Sequence, residues 1–157
     1  MAVEVGIVVG SKSDLPVIQK TADALTELGI ESEVRVLSAH RTPELVAEWA
    51  SGARQRGLKV LIAGAGMAAH LPGAVAAWST LPVIGVPLAA GELRGMDALL
   101  SVVQMPPGIP VATVAVGEAG AKNAAYLAAQ IIGLSRPEVA QKYQALRDSF
   151  VEAARQG

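Results

Sequence analysis

Five short apolar runs, each separated from the next by a segment of helical period, constrain this chain more than any other feature. The runs Val3–Val9, Ile30–Leu37, Val60–Ala63, Val83–Val86 and Val111–Val116 have the length of strands. Ile18, Ala22, Leu25 and Leu28 recur at helical spacing after the first run, with Asp14 suited to the N-cap and Gly29 to the stop. Thr42 as N-cap and Pro43 at the first helical position open a second helix that ends near Gly57. Further helices are expected through Trp78, over Met96–Val103 and over the Ala-rich stretch from Ala119 to Ile132. Strands that alternate with helices pair in parallel, because each crossover returns the chain to the same edge of the sheet.

Strand two alternates Ile30, Ser32, Val34 and Val36 against Glu31, Glu33 and Arg35, so it is expected half-exposed at an edge. Strands one and three are predominantly apolar runs and are expected in the middle. The order 2-1-3-4-5 follows, giving a flavodoxin-like, three-layer α/β/α sandwich formed by residues 1–157 as one domain. A last helix, 137–155, lies outside the alternation. It lines up Val139, Tyr143, Leu146, Phe150 and Ala153 and is expected to serve contacts between copies.

Composition narrows the classes of function. Of the 157 residues 52% are hydrophobic but only 3% aromatic, so the core must be built from Ala, Val, Leu and Ile. A net charge of −1 with dispersed basic residues leaves no footprint for nucleic acid. The absence of cysteine excludes disulfides, thiolate metal sites and thiol nucleophiles. No apolar run reaches the ~18 residues of a membrane span, and Met1-Ala2-Val3-Glu4 lacks the basic start of a signal peptide. A cytoplasmic protein is expected.

In the order 2-1-3-4-5 ligands bind beyond the strand C-termini where the winding reverses. The loops Gly10–Pro16, Ser38–Pro43 and Gly64–Gly73 meet there, and both histidines of the chain, His40 and His70, fall within them. Histidine exchanges protons in both directions near neutrality, which makes His40, in a polar loop, a candidate acid and base. His70 begins a helix and is as well suited to capping as to function. Ser11, Ser13, Ser38 and Arg41 together with helix N-termini suit an anion, most naturally a phosphate. Asp14 can cap its helix, accept from ribose hydroxyls, or do both.

Gly64-Ala65-Gly66-Met67-Ala68-Ala69 matches the dinucleotide pattern G-x-G-x-x-A, but no acid follows until Glu92 and Pro72 interrupts the helix start. A phosphoacceptor aspartate is missing from the end of strand three, where Gly64 stands. The five aromatic residues, Trp49, Trp78, Tyr126, Tyr143 and Phe150, all lie on helical segments, so the loops offer a flavin nothing to stack on. Two histidines in polar loops without paired carboxylates do not make a metal site.

Taken together, Gly10-Ser11-Lys12-Ser13-Asp14, Ser38-Ala39-His40-Arg41-Thr42-Pro43 and Ala68-Ala69-His70-Leu71-Pro72-Gly73 resemble the N5-carboxyaminoimidazole ribonucleotide mutase family. Ser101–Thr113 and Asn123–Gln130 agree with it, so the resemblance spans nearly the whole chain. It implies that Ser11, Asp14 and Arg41 bind a ribonucleotide, with Ser13 and Ser38 as further phosphate or ribose contacts. It implies His40 as proton carrier, and His70 beside a carboxylate that migrates from an exocyclic nitrogen to ring carbon C4. It also implies no metal, no ATP and a homo-oligomer, an octamer. Two positions depart from the pattern: Met67 where glycine is usual and Ala74 where methionine is common. Met67 changes the loop if that position has positive φ, and a volume exchange between the two positions is expected. A related branch carboxylates aminoimidazole ribonucleotide directly and carries Lys in place of Arg41. Outside enzymology, the alternative is a nucleotide-sensing module of the same fold.

Overall fold

The computed structural model describes all of residues 1–157. Strand β1 (Val5–Val9) leads through a 3-10 turn (Lys12–Asp14) into α1 (Leu15–Glu27). Then follow β2 (Ser32–Val36), α2 (Pro43–Ser51), β3 (Val60–Gly66), α3 (Leu71–Trp78), β4 (Val83–Leu88) and α4 (Met96–Val103). The chain ends with β5 (Ala112–Thr113), α5 (Glu118–Gly133) and α6 (Pro137–Gln156). The sheet order is β2-β1-β3-β4-β5 and every pairing is parallel, with Val5 opposite both Ser32 and Val60, and Ile84 opposite Ala112. No helix is long and apolar enough to cross a membrane.

The apolar strands are buried on both faces, and their period of two divides the core. Val5, Ile7, Val9, Val60, Ile62, Ile84 and Val86 face α1 and α5. Val8, Leu61, Ala63, Ala65 and Val83 face α2, α3 and α4. Lacking aromatics, the layers approach through small residues. Ala121, Ala124, Ala125, Ala128 and Ala129 make the buried face of α5, and the Thr21 hydroxyl of α1 donates to the Ala121 carbonyl at 2.7 Å. Gly6 shows the tolerance of this packing: a Cβ there would stand 2.8 Å from the Trp49 ring and 2.9 Å from Leu58.

Several boundaries differ from the sequence expectation. Strand one starts at Val5 because Glu4, only 7% exposed, turns to Lys59 and Arg136. Strands β3 and β4 run on to Gly66 and Leu88, carrying the sheet two or three residues further toward the loops. β5 keeps only two residues, because it is an edge strand with a half-exposed surface. Helix α2 stops at Ser51 rather than near Gly57, and the intervening turns close at Gly57 with φ +89°. Gly29 does stop α1, with φ +76° and the Ile30 N–H donating back to the Leu25 carbonyl at 2.9 Å. Of the expected α6 stripe, Val139 is buried and Tyr143 and Leu146 half-buried, while Phe150 and Ala153 are exposed.

Candidate active site

Helices α1, α2 and α3 all begin just beyond the C-terminal edge of the sheet, after β1, β2 and β3. None of the three has its N-terminus capped by a side chain. This corrects two expectations. Asp14 sits at the α1 cap position in helical conformation, where its carboxylate cannot reach back to the first turn. The preceding 3-10 turn is capped instead by Ser11, whose hydroxyl accepts from the Ser13 N–H at 3.3 Å and lies 2.9 Å from the Ser13 hydroxyl. Thr42 likewise does not cap α2. Its hydroxyl accepts from the Ser38 N–H at 2.8 Å and donates to the Ser38 carbonyl at 3.1 Å, closing the 38–42 loop on itself. The Ser38 hydroxyl accepts from the Arg41 N–H at 3.1 Å and retains its own hydrogen for a ligand.

These loops line a cavity of about 300 Å³. One side is polar, with Ser11, Ser13, Asp14, Ser38, His40 and Arg41. The other is Ala65, Gly66, Met67, Ala68, Leu71 and Ala90, without a single charged group. Six of the seven residues singled out from sequence therefore line one cavity, and the seventh, His70, touches it through His40. His70 Nδ1 is 2.5 Å from His40 Nε2, with the rings 4.7 Å apart and nearly perpendicular at 81°. His70 makes no capping bond to α3; its side-chain hydrogen bond is the one to His40. Of the two facing nitrogens one must carry the hydrogen and the other the lone pair, which couples the tautomers of the rings.

Burial pushes the Asp14 carboxyl above the ordinary carboxylate range, and the Ser11 backbone hydrogen bond draws it part of the way back. A partly desolvated carboxylate released from capping is suited to accept from hydroxyls of a ligand. No three His, Asp or Glu side chains converge anywhere in the chain to hold a metal.

Met67 has φ +54°, so the residue that stands for the usual glycine does adopt a conformation costly for a bulky side chain. Its side chain is 57% exposed, and a Cβ on Gly91 would lie 3.6 Å from Met67 Cε. It thus rests over the β4–α4 loop rather than in the core against which Ala74 packs. The volume exchange between these positions does not occur. Ala90, from that same loop, was missed in the sequence. Strand order puts the loop beside the crevice, but no polar residue marks it.

Residues 4–153 match the AIR carboxylase family. A Vibrio cholerae N5-carboxyaminoimidazole ribonucleotide mutase is 57% identical over 91% of this chain and 89% of its own length. The mutase of Pseudomonas aeruginosa is 53% identical over 97% and 93%, and that of Mycobacterium tuberculosis 54% over 94% and 84%. Among solved structures, Treponema denticola PurE superposes with a TM-score of 0.86 at 32% identity, covering 97% of this chain and 94% of its own. A variant of Treponema denticola PurE2 does so at 0.89 and 31%, covering 99% and 96%.

Proposed function

The chain belongs to the AIR carboxylase family, and we propose that this enzyme of purine biosynthesis converts N5-carboxyaminoimidazole ribonucleotide to 4-carboxyaminoimidazole ribonucleotide. The observation that carries the reading is the two-sided cavity: hydroxyls, Asp14, Arg41 and a histidine pair facing an uncharged wall. The first side suits a ribose phosphate, and the second suits a carboxyl group that must leave as neutral CO2. These relatives, more than half identical to this chain over the aligned residues, carry the mutase name.

Arg41 and the uncapped helix ends bind the phosphate through charge-assisted hydrogen bonds, Ser11, Ser13 and Ser38 add hydroxyl contacts, and Asp14 accepts from the ribose. The bond from the exocyclic nitrogen to the carboxyl carbon breaks, the electron pair stays on nitrogen, and CO2 forms. Nitrogen takes a proton from His40. Ring carbon C4, electron-rich like an enamine, then bonds to CO2, and the proton it sheds returns to His40. One imidazole serves as acid and then as base, so no proton is consumed overall. His70, bonded to the far side of the ring, holds its orientation and tautomer.

The test is incubation with the carbamate ribonucleotide without ATP or added metal, following product absorbance. The expected result is efficient conversion at ambient bicarbonate, with aminoimidazole ribonucleotide used only when bicarbonate is raised far above that. Equal efficiency with both substrates at ambient bicarbonate assigns the chain to direct carboxylation instead. Turnover of neither leaves a nucleotide-binding module. The proposal extends to a cytoplasmic homo-oligomer, an octamer by family, supported by the exposed apolar residues Met96, Leu100 and Val103 along α4.

A further inference from the structure

We infer that Met67 is a positioning residue for the CO2 released in mid-reaction: its side chain bridges two loops at the cavity mouth and slows escape of the gas. The inference rests on the mutase reading above. In that reaction the carbon–nitrogen bond is broken before the carbon–carbon bond is made, with the electron pair left on nitrogen and a proton supplied by His40. Between the two steps CO2 has no covalent tie to anything. It is neutral and without a net dipole, so the charged side of the cavity holds it far more weakly than it held the carboxylate. Its retention therefore depends mainly on the fit of the uncharged wall and the closure of the exits.

Three observations converge on Met67. It belongs to that uncharged wall. Its thioether lies against Gly91, so one flexible side chain spans the gap between the β3–α3 and β4–α4 loops. And it is held at φ +54°, a left-handed conformation that costs a side chain free energy glycine would avoid. A bulky residue kept in strained backbone, exposed and outside the core, gains little from packing beyond this one contact to offset the cost. Strain of this kind collects at working sites.

Retention of CO2 can be read directly. Unlabelled carbamate ribonucleotide is turned over once by excess enzyme in 13C-bicarbonate, with carbonic anhydrase present to label dissolved CO2, and the label in the product is measured by mass spectrometry. Wild type is expected to return mostly unlabelled carboxyl. Met67→Ala and Met67→Gly are expected to raise the labelled fraction by about threefold or more, because the exit is open. Met67→Leu, which keeps apolar bulk, should stay near wild type. A purely structural role would move melting temperature and rate without moving this ratio. Labelled fractions in Met67→Ala and Met67→Gly within error of wild type overturn the inference. So does full labelling in wild type, or a Met67→Leu that leaks as much as Met67→Ala. Failure of wild type to form product at all is a different result and sinks the mutase reading itself.

Discussion

At Asp14 the demands of stability and of ligand binding oppose each other. Burial raises its carboxyl, so the ionised form penalises the folded chain. Well below the ordinary carboxyl range, folded and unfolded chains both hold the proton and nothing is lost. As pH rises the unfolded chain ionises first, and the penalty is complete once pH exceeds the raised folded-state value. Asp14→Asn is therefore expected to melt higher than the parent at pH 7, with the gap closing as pH falls to about 4. Melting curves across that range check it; an Asn variant less stable at pH 7 would show that the carboxylate is satisfied in the free protein. His40 is tested by chemistry instead. His40→Asn keeps hydrogen-bonding capacity but cannot carry a proton, so nucleotide affinity should hold while turnover falls by ~10²-fold or more. Arg41→Ala should do the reverse, raising KM more than it lowers kcat. Retention of most activity in His40→Asn would route the proton through His70 or water.

Among the α-helices, α6 buries the fewest residues. Only Val139 of its twenty residues is buried, and its start is fastened by Arg136. That guanidinium reaches Glu4 in a short contact, Glu138 at 2.7 Å and the Gly29 carbonyl at 3.4 Å. The same contact with Arg136 holds the exposed Glu138 carboxyl below its usual value. Glu4 is nearly buried and also meets Lys59 at 2.5 Å, so Arg136→Ala leaves it one cation of two. A loss of about 1–3 kcal/mol is expected, since a remaining partner limits the damage. Hydrogen exchange should rise across 137–156 while β1 and β3 stay protected; uniform protection in α6 would mean that Val139 and Tyr143 hold it alone. The sequence pointed to each element here by type, but several ends moved. Ends depend on what the next residue meets, as when Glu4 leaves β1 for two cations or β5 loses partners at the edge.

For the whole molecule, the exposed apolar side chains are the unfinished part of the surface. Leu93, Met96 and Leu100 are 64%, 58% and 57% exposed, and Phe150 is 61% exposed at the far end of α6. Met96, Leu100 and Val103 recur at helical spacing along α4, and exposed apolar side chains grouped in this way suit a surface covered by a second copy. Light scattering at micromolar concentration is expected to give a mass several times the 16.1 kDa of the chain. A single species of chain mass would remove assembly from the proposal.

Sequence alone determined the architecture, because burial leaves a period. The apolar runs one and three fitted central strands, the alternating run around Val34 fitted an edge, and that order brought three loops to one crevice. It also determined the composition of the site, since six of the seven marked residues line one cavity. Tertiary structure decided how they are used. It paired His40 with His70 across thirty residues of sequence and bent Thr42 back to Ser38. By giving the cap to Ser11 it freed the Asp14 carboxylate, and it laid Met67 over a loop with no polar mark of its own. Caps, tautomers and side-chain directions answer to the nearest neighbour in space, and for a loop that neighbour is set only when the sheet beneath has brought another loop beside it.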